Sequence, residues 1–253
     1  MKTISSEERT RYDRQIIIPE IGEDGQKKLK NARVFIAGVG GLGSISAYYM
    51  AAAGIGFLKI VDMDHVGLSN LNRQILHRTG DISKPKTESA VEKLRDLNPL
   101  CQIQAVQKEI RDENIMELLG DCRIILDATD NMETRKILNR AHISKGIPFI
   151  YGGIDGFNGM VTTFVPGQTP CFECLFPQNS PPKNKVGALG PMAGLISSLQ
   201  SLEVIKIILG MDGTLKNRLL YIQSDDMIFR EIQLKKTPDC KICSLGKGDS
   251  CDE

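Results

Sequence analysis

The stretch Arg33 to Gly43 reads RVFIAGVGGLG and decides the fold. Its apolar run over 34–37 ends directly in a glycine-rich turn, which is typical of a buried parallel strand. Small and apolar residues continue over 44–54 and predict a helix packed closely on a sheet. Backbone N–H groups and the dipole at the start of such a helix favour phosphate. The stretch therefore predicts a strand, turn and helix that bind a nucleotide.

Strands and helices go on alternating after this unit. Further strands are predicted at 57–61, 101–106, 123–127 and 148–151, with helices at 83–97, 132–145 and 192–209. This alternation indicates an α/β fold with a Rossmann-like, doubly wound, mainly parallel sheet. The rhythm then changes, and the later apolar runs at 160–165, 219–223 and 227–234 are expected to form antiparallel strands that extend the sheet.

The length of 253 residues fits one domain with distinct parts. We predict an N-terminal arm over 1–31, helical in pieces, and a nucleotide-binding half over 32–153. A second half over 154–244 and a polar tail over 245–253 complete the chain. Within the second half, the Pro-rich stretch 176–190 has too little apolar content for a core element. It is interpreted as a mobile crossover or lid.

Composition excludes several classes of partner. With 32 basic and 31 acidic residues, the charges nearly cancel, so nothing favours nucleic acid. No apolar run reaches the ~18 residues of a bilayer span, and the polar N-terminus is no signal peptide. We therefore expect a cytoplasmic protein with no membrane partner. In that setting the 7 cysteines are reduced thiols or metal ligands.

Asp62 ends the second predicted strand, where a carboxylate can accept from a ribose hydroxyl. Together with the glycine turn, it fits a Rossmann site for NAD or FAD equally well. Two cations change this balance, since Arg73 lies in a polar loop and Lys86 follows Pro85 at a helix start. Both charges could neutralise a triphosphate. The pattern thus favours a site that cleaves ATP, although a solvated charge is the common role of a single Lys or Arg.

Asp130 follows the fourth predicted strand, at the sheet edge where ligands bind. A carboxylate facing phosphates is unfavourable unless a divalent cation intervenes, so Asp130 is interpreted as a Mg²⁺ ligand. Capping of the helix that starts near Asn131 is the alternative role.

Two CxxC pairs lie in the second half, at Cys171 and Cys174 and at Cys240 and Cys243. Together they can make a closed, tetrahedral Cys₄ zinc site, which would be structural. Free thiols or a redox-active pair are the alternatives. Since the pairs are far apart in sequence, the metal would join distant segments.

The combined pattern resembles the MoeB/ThiF/HesA family, relatives of the ubiquitin-activating enzymes, over roughly residues 9–244. The resemblance rests on RYDRQ at 11–15, the GVGGLG turn, SNLNRQ at 69–74, Lys86, the DATDN run at 127–131 and both cysteine pairs. It implies adenylation, with Mg-ATP, of the C-terminal Gly-Gly carboxylate of a small ubiquitin-like sulfur-carrier protein of the molybdopterin or thiamine type. It also implies a homodimer in which Arg14 reaches the triphosphate of the neighbouring subunit.

The resemblance and the spacing together give the predicted site. Arg14, Arg73, Lys86 and Asp130 are the catalytic candidates. The nucleotide is expected to contact Gly38, Gly40, Gly41, Gly43, Asp62, Asp64, Ser69, Asn70, Arg73, Gln74, Lys86, Asp130 and Asn131. A carboxylate nucleophile is already ionised at neutral pH, so no general base is needed. The surface around Tyr151 to Gly153, with the 176–190 crossover, is the predicted groove for the carrier's tail.

One departure from part of the family concerns sulfur transfer. Many relatives carry a cysteine between the first CxxC pair and the long helix, whereas residues 175–190 here contain none. Lys183 is near the usual position. Cys101 and Cys122 border predicted strands and should be core, and Cys251 lies in the tail. We therefore predict an enzyme closer to MoeB, which stops at the acyl-adenylate and leaves sulfur to another protein.

Two other functions remain open from the sequence. One is an NAD- or FAD-dependent oxidoreductase, which Arg73 and Lys86 disfavour. The other is a non-catalytic module that holds a nucleotide or a partner.

Overall fold

The computed structural model describes residues 3–177 and 186–244. Within these ranges one sheet has eight strands in the spatial order β3-β2-β1-β4-β5-β6-β7-β8. The strands are β1 Arg33–Ala37, β2 Phe57–Val61, β3 Gln102–Val106, β4 Ile124–Asp127, β5 Phe149–Asp155, β6 Asn158–Phe164, β7 Arg218–Gln223 and β8 Ile228–Gln233. Strands β1 to β5 pair in parallel, and β5 to β8 pair antiparallel. The predicted α/β fold, a parallel sheet extended by antiparallel strands, is confirmed.

Nine α-helices occur in the described ranges, together with two short 3₁₀ turns after β2. They are α1 Ser6–Arg11, α2 Asp13–Ile16, α3 Gly22–Asn31, α4 Gly41–Ala52, α5 Lys86–Leu97, α6 Ile115–Leu119, α7 Met132–Lys145, α8 Phe172–Leu175 and α9 Gly190–Leu209. The arm is helical in pieces, as predicted. Helix α4 begins at Gly41, earlier than predicted, because the glycine turn itself supplies the first helical turn.

The helices cover both faces of the sheet. Alternate residues of β1 point to opposite sides, with Val34 and Ile36 in one core cluster and Phe35 and Ala37 in another. The first cluster includes residues of α3, α4, α5 and α9, and the second includes residues of α6, α7 and α8. The chain therefore leaves β1 for one face and β4 for the other. Ligands of such sheets bind in the crevice at this switch between neighbouring strands.

Helix α9 is long and apolar enough to cross a membrane by length and composition alone. Half of its most apolar window is buried inside the fold, and the helix packs against α4 and β5. Ser197 Oγ in α9 donates to the Leu42 carbonyl of α4 at 2.9 Å. Such contacts are those of a core helix.

Candidate nucleotide site

The glycines of the turn between β1 and α4 fall into two groups. Gly38 has a φ of +89°, and a Cβ on Gly43 would lie 1.9 Å from the Gly38 carbonyl oxygen. Both are required by the backbone, since any side chain would be strained or would clash. A Cβ on Gly40 or Gly41 would meet its nearest neighbour at 3.5 Å, an ordinary contact. The absent side chains of Gly40 and Gly41 therefore leave room for a ligand.

Asp62 joins the end of β2 to this turn. Its Oδ2 accepts from the Val39 N–H at 2.8 Å, and its Oδ1 accepts from the Asp64 N–H at 2.8 Å. These bonds fix the carboxylate beside the glycines. The structure thus places Asp62 at the strand end and next to the turn, where a ribose hydroxyl would need its acceptor.

Lys86 is the first residue of α5, which begins three residues later than the predicted helix 83–97 because Ser83 has a φ of +72°. Its side chain is only 7% exposed, and its Nζ lies 2.7 Å from Asp64 Oδ2, whose side chain is 53% exposed. A solvated lysine is therefore excluded as its role. The ion pair thus joins the buried ammonium of Lys86 to the solvent-exposed carboxylate of Asp64.

The loop over 69–74 packs on the same turn. Arg73 Nη1 donates to the Ser69 carbonyl at 2.9 Å and to Asn72 Oδ1 at 3.1 Å. Its Cγ would lie 3.6 Å from a Cβ on Gly41. Asn70 Oδ1 accepts from the Gly67 N–H at 2.9 Å and so closes the start of this loop.

Gln74 carries a polar atom without a partner. The residue is 4% exposed, and its Nε2 would lie 3.5 Å from a Cβ on Gly40. Its buried Oε1 has no hydrogen-bond partner among the described residues. An unpaired buried acceptor is costly, so Gln74 is held beside the turn at an energetic cost.

The start of α9 also reaches this place. A Cβ on Gly190 would lie 2.6 Å from the Asn72 carbonyl oxygen, and Ala193 Cβ would lie 3.5 Å from a Cβ on Gly41. The N-terminal ends of α4 and α9 therefore meet beside Arg73. Their dipoles add positive potential to the two side-chain cations.

Asp130 is exposed at the carboxyl end of β4. Asn131, and not Asp130, caps α7, since Asn131 Oδ1 accepts from the Thr134 N–H at 2.8 Å. This removes the capping role that the sequence left open for Asp130. The turn touches this strand end closely, because a Cβ on Gly38 would lie 2.8 Å from the Ala128 carbonyl oxygen.

A buried ion pair that the sequence did not indicate supports the Asp130 segment. Asp127 is fully buried, and its Oδ2 accepts from Arg135 Nε at 3.1 Å. Burial raises the pKa of Asp127, while Arg135 and the two donors of Thr129 oppose that rise. Arg135 also donates to the Thr129 carbonyl at 2.6 Å and lies over the Tyr151 ring. The pair fixes the backbone immediately before Asp130.

Arg14 lies away from the turn in this chain. It is exposed in α2, and Gln15 next to it donates to the Ala53 carbonyl at 3.1 Å, just beyond the C-terminus of α4. The glycine turn lies at the other end of α4, whose 12 residues span about 18 Å. In its own chain, Arg14 therefore lies far from the predicted phosphate site.

The four predicted zinc ligands do come together. The sulfur atoms of Cys171, Cys174, Cys240 and Cys243 all lie within 4.8 Å of one another. Individual Sγ–Sγ separations are 3.9 Å for 171 and 174, 3.6 Å for 171 and 240, and 3.6 Å for 174 and 243. Four thiolates at ~2.3 Å from a tetrahedral zinc are ~3.8 Å apart, so the cluster fits this metal.

The other cysteines of the described ranges are inert. Cys101 is 4% exposed and Cys122 is fully buried, as predicted for core residues. Burial raises the pKa of Cys101 to about 12 and that of Cys122 to about 11. Neither thiol is therefore a nucleophile at neutral pH. Lys183, Cys251 and the polar tail lie outside the described residues.

The predicted tail groove is wrong in part. Tyr151, Gly152 and Gly153 are buried in β5, so they form no surface. Helix α9 packs on this strand, since a Cβ on Gly152 would lie 2.4 Å from the side chain of Gln200 in α9. The accessible part of this hairpin is its tip, where the Gly156 N–H donates to the Gly187 carbonyl at 2.8 Å. The described end of the crossover thus lies against the tip of the β5–β6 hairpin.

The sequence profile of one family covers almost the whole chain, matching residues 12–242. The chain belongs to the ThiF family. The SAMP-activating enzyme E1 of Haloferax volcanii is 38% identical over 248 residues, which cover 96% of this chain and 92% of that protein. The sulfur carrier protein adenylyltransferase of Thermus thermophilus is 36% identical over 249 residues, covering 94% and 92%. The predicted family is therefore confirmed.

Another ThiF-family relative is longer than this chain. The adenylyltransferase and sulfurtransferase MOCS3 of Culex quinquefasciatus is 40% identical over 247 residues, covering 95% of this chain but 56% of that protein. Among solved structures, E. coli MccB with ATP superposes with a TM-score of 0.85 at 26% identity, covering 95% of this chain and 75% of MccB. PaaA gives a TM-score of 0.81 at 28% identity, covering 94% and 76%.

Proposed function

We propose that this protein is an ATP-dependent adenylyltransferase that activates the C-terminal Gly-Gly carboxylate of a ubiquitin-like sulfur carrier. The observation that carries the proposal is that Arg73 packs beside the open Gly41, while buried Lys86 is joined through Asp64 and Asp62 to the same turn. The predicted enzyme class agrees with the names of two relatives that the chain spans almost completely. The named relatives are activating or adenylylating enzymes, which leaves the oxidoreductase without support.

The chemistry needs charge neutralisation more than proton transfer. The carrier carboxylate attacks the α-phosphorus, an acyl–phosphate bond forms, and the bond to the pyrophosphate leaving group breaks. Two anions must approach, so cations at the phosphates lower the barrier. Lys86 and Arg73 would supply this charge, the N–H groups at the start of α4 would hold phosphate oxygens, and Asp62 would hold the ribose.

Metal ions fit two separate places. Asp130 would hold Mg²⁺ together with phosphate oxygens, since Mg²⁺ commonly takes one or two carboxylates and completes its shell with substrate and water. The Mg²⁺ would neutralise charge that develops on the leaving phosphates. The Cys₄ cluster would hold Zn²⁺ with no open position, and it would join α8 to the segment after β8.

A homodimer accounts for the position of Arg14. Since α2 lies at the far end of α4, an Arg14 that meets ATP must come from a second copy of the chain. The helices α4 and α9 lie side by side and expose Tyr49 and Leu202, each 53% exposed. Such apolar side chains on adjacent helices suit burial between two subunits.

The acyl-adenylate is the proposed end product. Both buried thiols are shielded, and the zinc cluster would use the four remaining cysteines of the described ranges. A separate protein would then donate sulfur to the activated carrier. We do not propose for this chain the sulfurtransferase activity that is named for MOCS3, because the chain covers about half of that protein. A cytoplasmic location without nucleic-acid or membrane partners stays a prediction of the sequence.

ATP–pyrophosphate exchange tests the proposed reaction. Exchange should appear only when a ubiquitin-like carrier with an intact terminal Gly-Gly is present, and removal of that dipeptide should abolish it. A carrier–enzyme thioester or persulfide detected by mass spectrometry would contradict the proposed end product. Tight nucleotide binding without exchange for any such carrier would favour the non-catalytic module instead.

A further inference from the structure

Behind the glycine turn lies a buried chain of polar contacts. Lys93 Nζ is 2.5 Å from Asp81 Oδ2 and 2.9 Å from Ser89 Oγ. Ser89 Oγ is 2.9 Å from His77 Nδ1, and His77 Nε2 is 3.1 Å from the Val39 carbonyl oxygen. All five residues are at most 8% exposed. This series of buried contacts therefore links α5 to the backbone of the turn.

The two ends of this series of contacts determine which nitrogen of His77 carries a hydrogen. A lysine ammonium only donates, so Ser89 Oγ accepts from Lys93. A carbonyl oxygen only accepts, so His77 Nε2 must donate to Val39. In a neutral ring Nδ1 then carries no hydrogen and is an acceptor for the Ser89 hydroxyl, whose other acceptor is Asp81. The surroundings thus select the Nε2–H tautomer of His77.

The hydrogen bond from this tautomer fixes the peptide group between Val39 and Gly40, and the peptide group before it is already fixed by Asp62. The Val39 N–H donates to Asp62, and the Val39 carbonyl accepts from His77. Because a trans peptide is planar, its N–H points opposite to its carbonyl. The Gly40 N–H is thereby directed away from His77. Among residues 3–177 and 186–244, no acceptor forms a hydrogen bond with it.

We propose that His77 is a positioning residue for the nucleotide: it fixes the Val39 carbonyl and so aims the Gly40 N–H at a phosphate oxygen. The inference rests on the proposed function for the identity of the ligand. His77 does not touch the phosphates, and it acts through the backbone of the turn. Preorganised N–H groups of this kind add no reorganisation cost when the ligand binds.

Electrostatics keep the His77 ring neutral. Burial lowers the pKa of His77, and the charges of Lys86 and Lys93 lower it further, against the opposing Val39 hydrogen bond and Asp81. The imidazole is therefore neutral near pH 7. The neutral ring donates from Nε2 to the Val39 carbonyl and leaves Nδ1 as an acceptor that faces Ser89 Oγ.

NMR spectroscopy tests the tautomer directly. The chain has 3 histidines, and long-range ¹H–¹⁵N correlations of the full-length protein distinguish their tautomers. His142 serves as an internal control, since its Nδ1 is 3.1 Å from the Ile147 carbonyl and must be the protonated nitrogen. We expect Nε2–H for His77 and Nδ1–H for His142. A His77 ring that is protonated on Nδ1 at neutral pH would overturn the proposal.

Nucleotide binding tests the positioning role. His77→Met removes the donor, and we expect it to weaken ATP binding about tenfold while adenosine affinity stays within about twofold, as only ATP meets the turn through phosphates. His77→Gln, whose amide can still donate to Val39, should restore ATP affinity to within about threefold. His142→Gln, a change of another buried histidine, should leave the ratio of ATP to adenosine affinity unchanged.

The outcomes separate this proposal from the proposed reaction. Equal losses of ATP and adenosine affinity in His77→Met would show a merely structural histidine and would overturn the positioning role. A wild-type protein with the expected binding pattern but without carrier-dependent exchange would support the role of His77 and contradict the adenylation.

Discussion

Lys86 and Asp64 are joined twice, by an ion pair with Nζ 2.7 Å from Oδ2 and by a backbone bond in which the Lys86 N–H donates to the Asp64 carbonyl at 2.9 Å. The backbone bond fixes where α5 begins, and the ion pair fixes where the ammonium ends. Since Asp64 is half exposed and Lys86 is buried, the pair presents a positioned cation to anything that binds at the rim. A polyphosphate there would interact with a charge whose side chain is already ordered.

Lys86→Met should reduce carrier-dependent exchange by about 10²-fold or more, because a charge that stabilises the reacting phosphates is lost. The thermal midpoint should change little, since the Asp64 left behind is solvated. Asp64→Asn keeps the lysine charge and removes only its anchor, so we expect a smaller loss of about tenfold. The control is Lys84→Met, two positions earlier and 41% exposed, which should retain activity. Equal activity of Lys86→Met and Lys84→Met would refute the assignment.

Asp130→Asn and Asp127→Asn should fail in different ways. Asp130 is exposed, so its change should abolish exchange and leave the melting temperature unchanged. Asp127 is paired with Arg135 in the core, so its change should cost about 3–5 kcal/mol of unfolding free energy. Titration of exchange activity with Mg²⁺ and thermal melts of both variants make the comparison. An Asp130→Asn enzyme with unaltered Mg²⁺ dependence would exclude the ligand role.

Gly41→Ala and Gly43→Ala distinguish an effect on ATP binding from an effect on folding stability. A methyl group on Gly41 meets only ordinary contacts, so this variant should fold normally and bind ATP at least about tenfold more weakly. A methyl group on Gly43 would collide with the Gly38 carbonyl, so that variant should lose stability. Circular dichroism and equilibrium binding check both. Normal ATP affinity in Gly41→Ala would mean that the space beside it is not used by nucleotide.

The sequence predicted the elements whose signals are local. Glycine-bounded apolar runs and long periodic segments predicted the strands and α7, whereas α5 begins at Lys86, after Pro85, and not at residue 83. The helices α6 and α8 have five and four residues, too short for a period to appear, and were not predicted. Strand β5 continues to Asp155 because its glycines pair with β6, which no local pattern records.

Side-chain partnerships were the part of the site that the sequence could not supply. Lys86 was predicted to face phosphate, yet its anchor on Asp64 depends on how the loop after β2 returns to α5. The chain from Asp81 to Val39 likewise joins residues that meet only after the core has packed. A buried lysine and a buried histidine look the same in sequence as exposed ones, so burial had to come from the structure.

Removal of zinc should destabilise the fold and leave the chemistry of the nucleotide site in place. We expect about one zinc per chain by elemental analysis, and a melting temperature lowered by about 10 °C or more after chelation. Cys174→Ser should lose the metal, because one of four ligands is gone. The matched control is Cys101→Ser, which alters a core thiol outside the cluster and should retain zinc. A metal content far below one per chain in the wild-type protein would contradict the site.

Arg14 and Lys86 should complement each other across two subunits. Arg14→Ala and Lys86→Met should each be inactive alone, whereas in a mixed dimer one site regains both side chains, with Arg14 donated by the Lys86→Met subunit. Random exchange of equal amounts should restore activity to roughly a quarter of the wild-type level. Mixing Arg73→Ala with Lys86→Met is the control, since both side chains belong to the same site and no intact site can form. Failure of the first pair to complement, in dimers proven to be mixed, would show that Arg14 does not act on the neighbouring subunit.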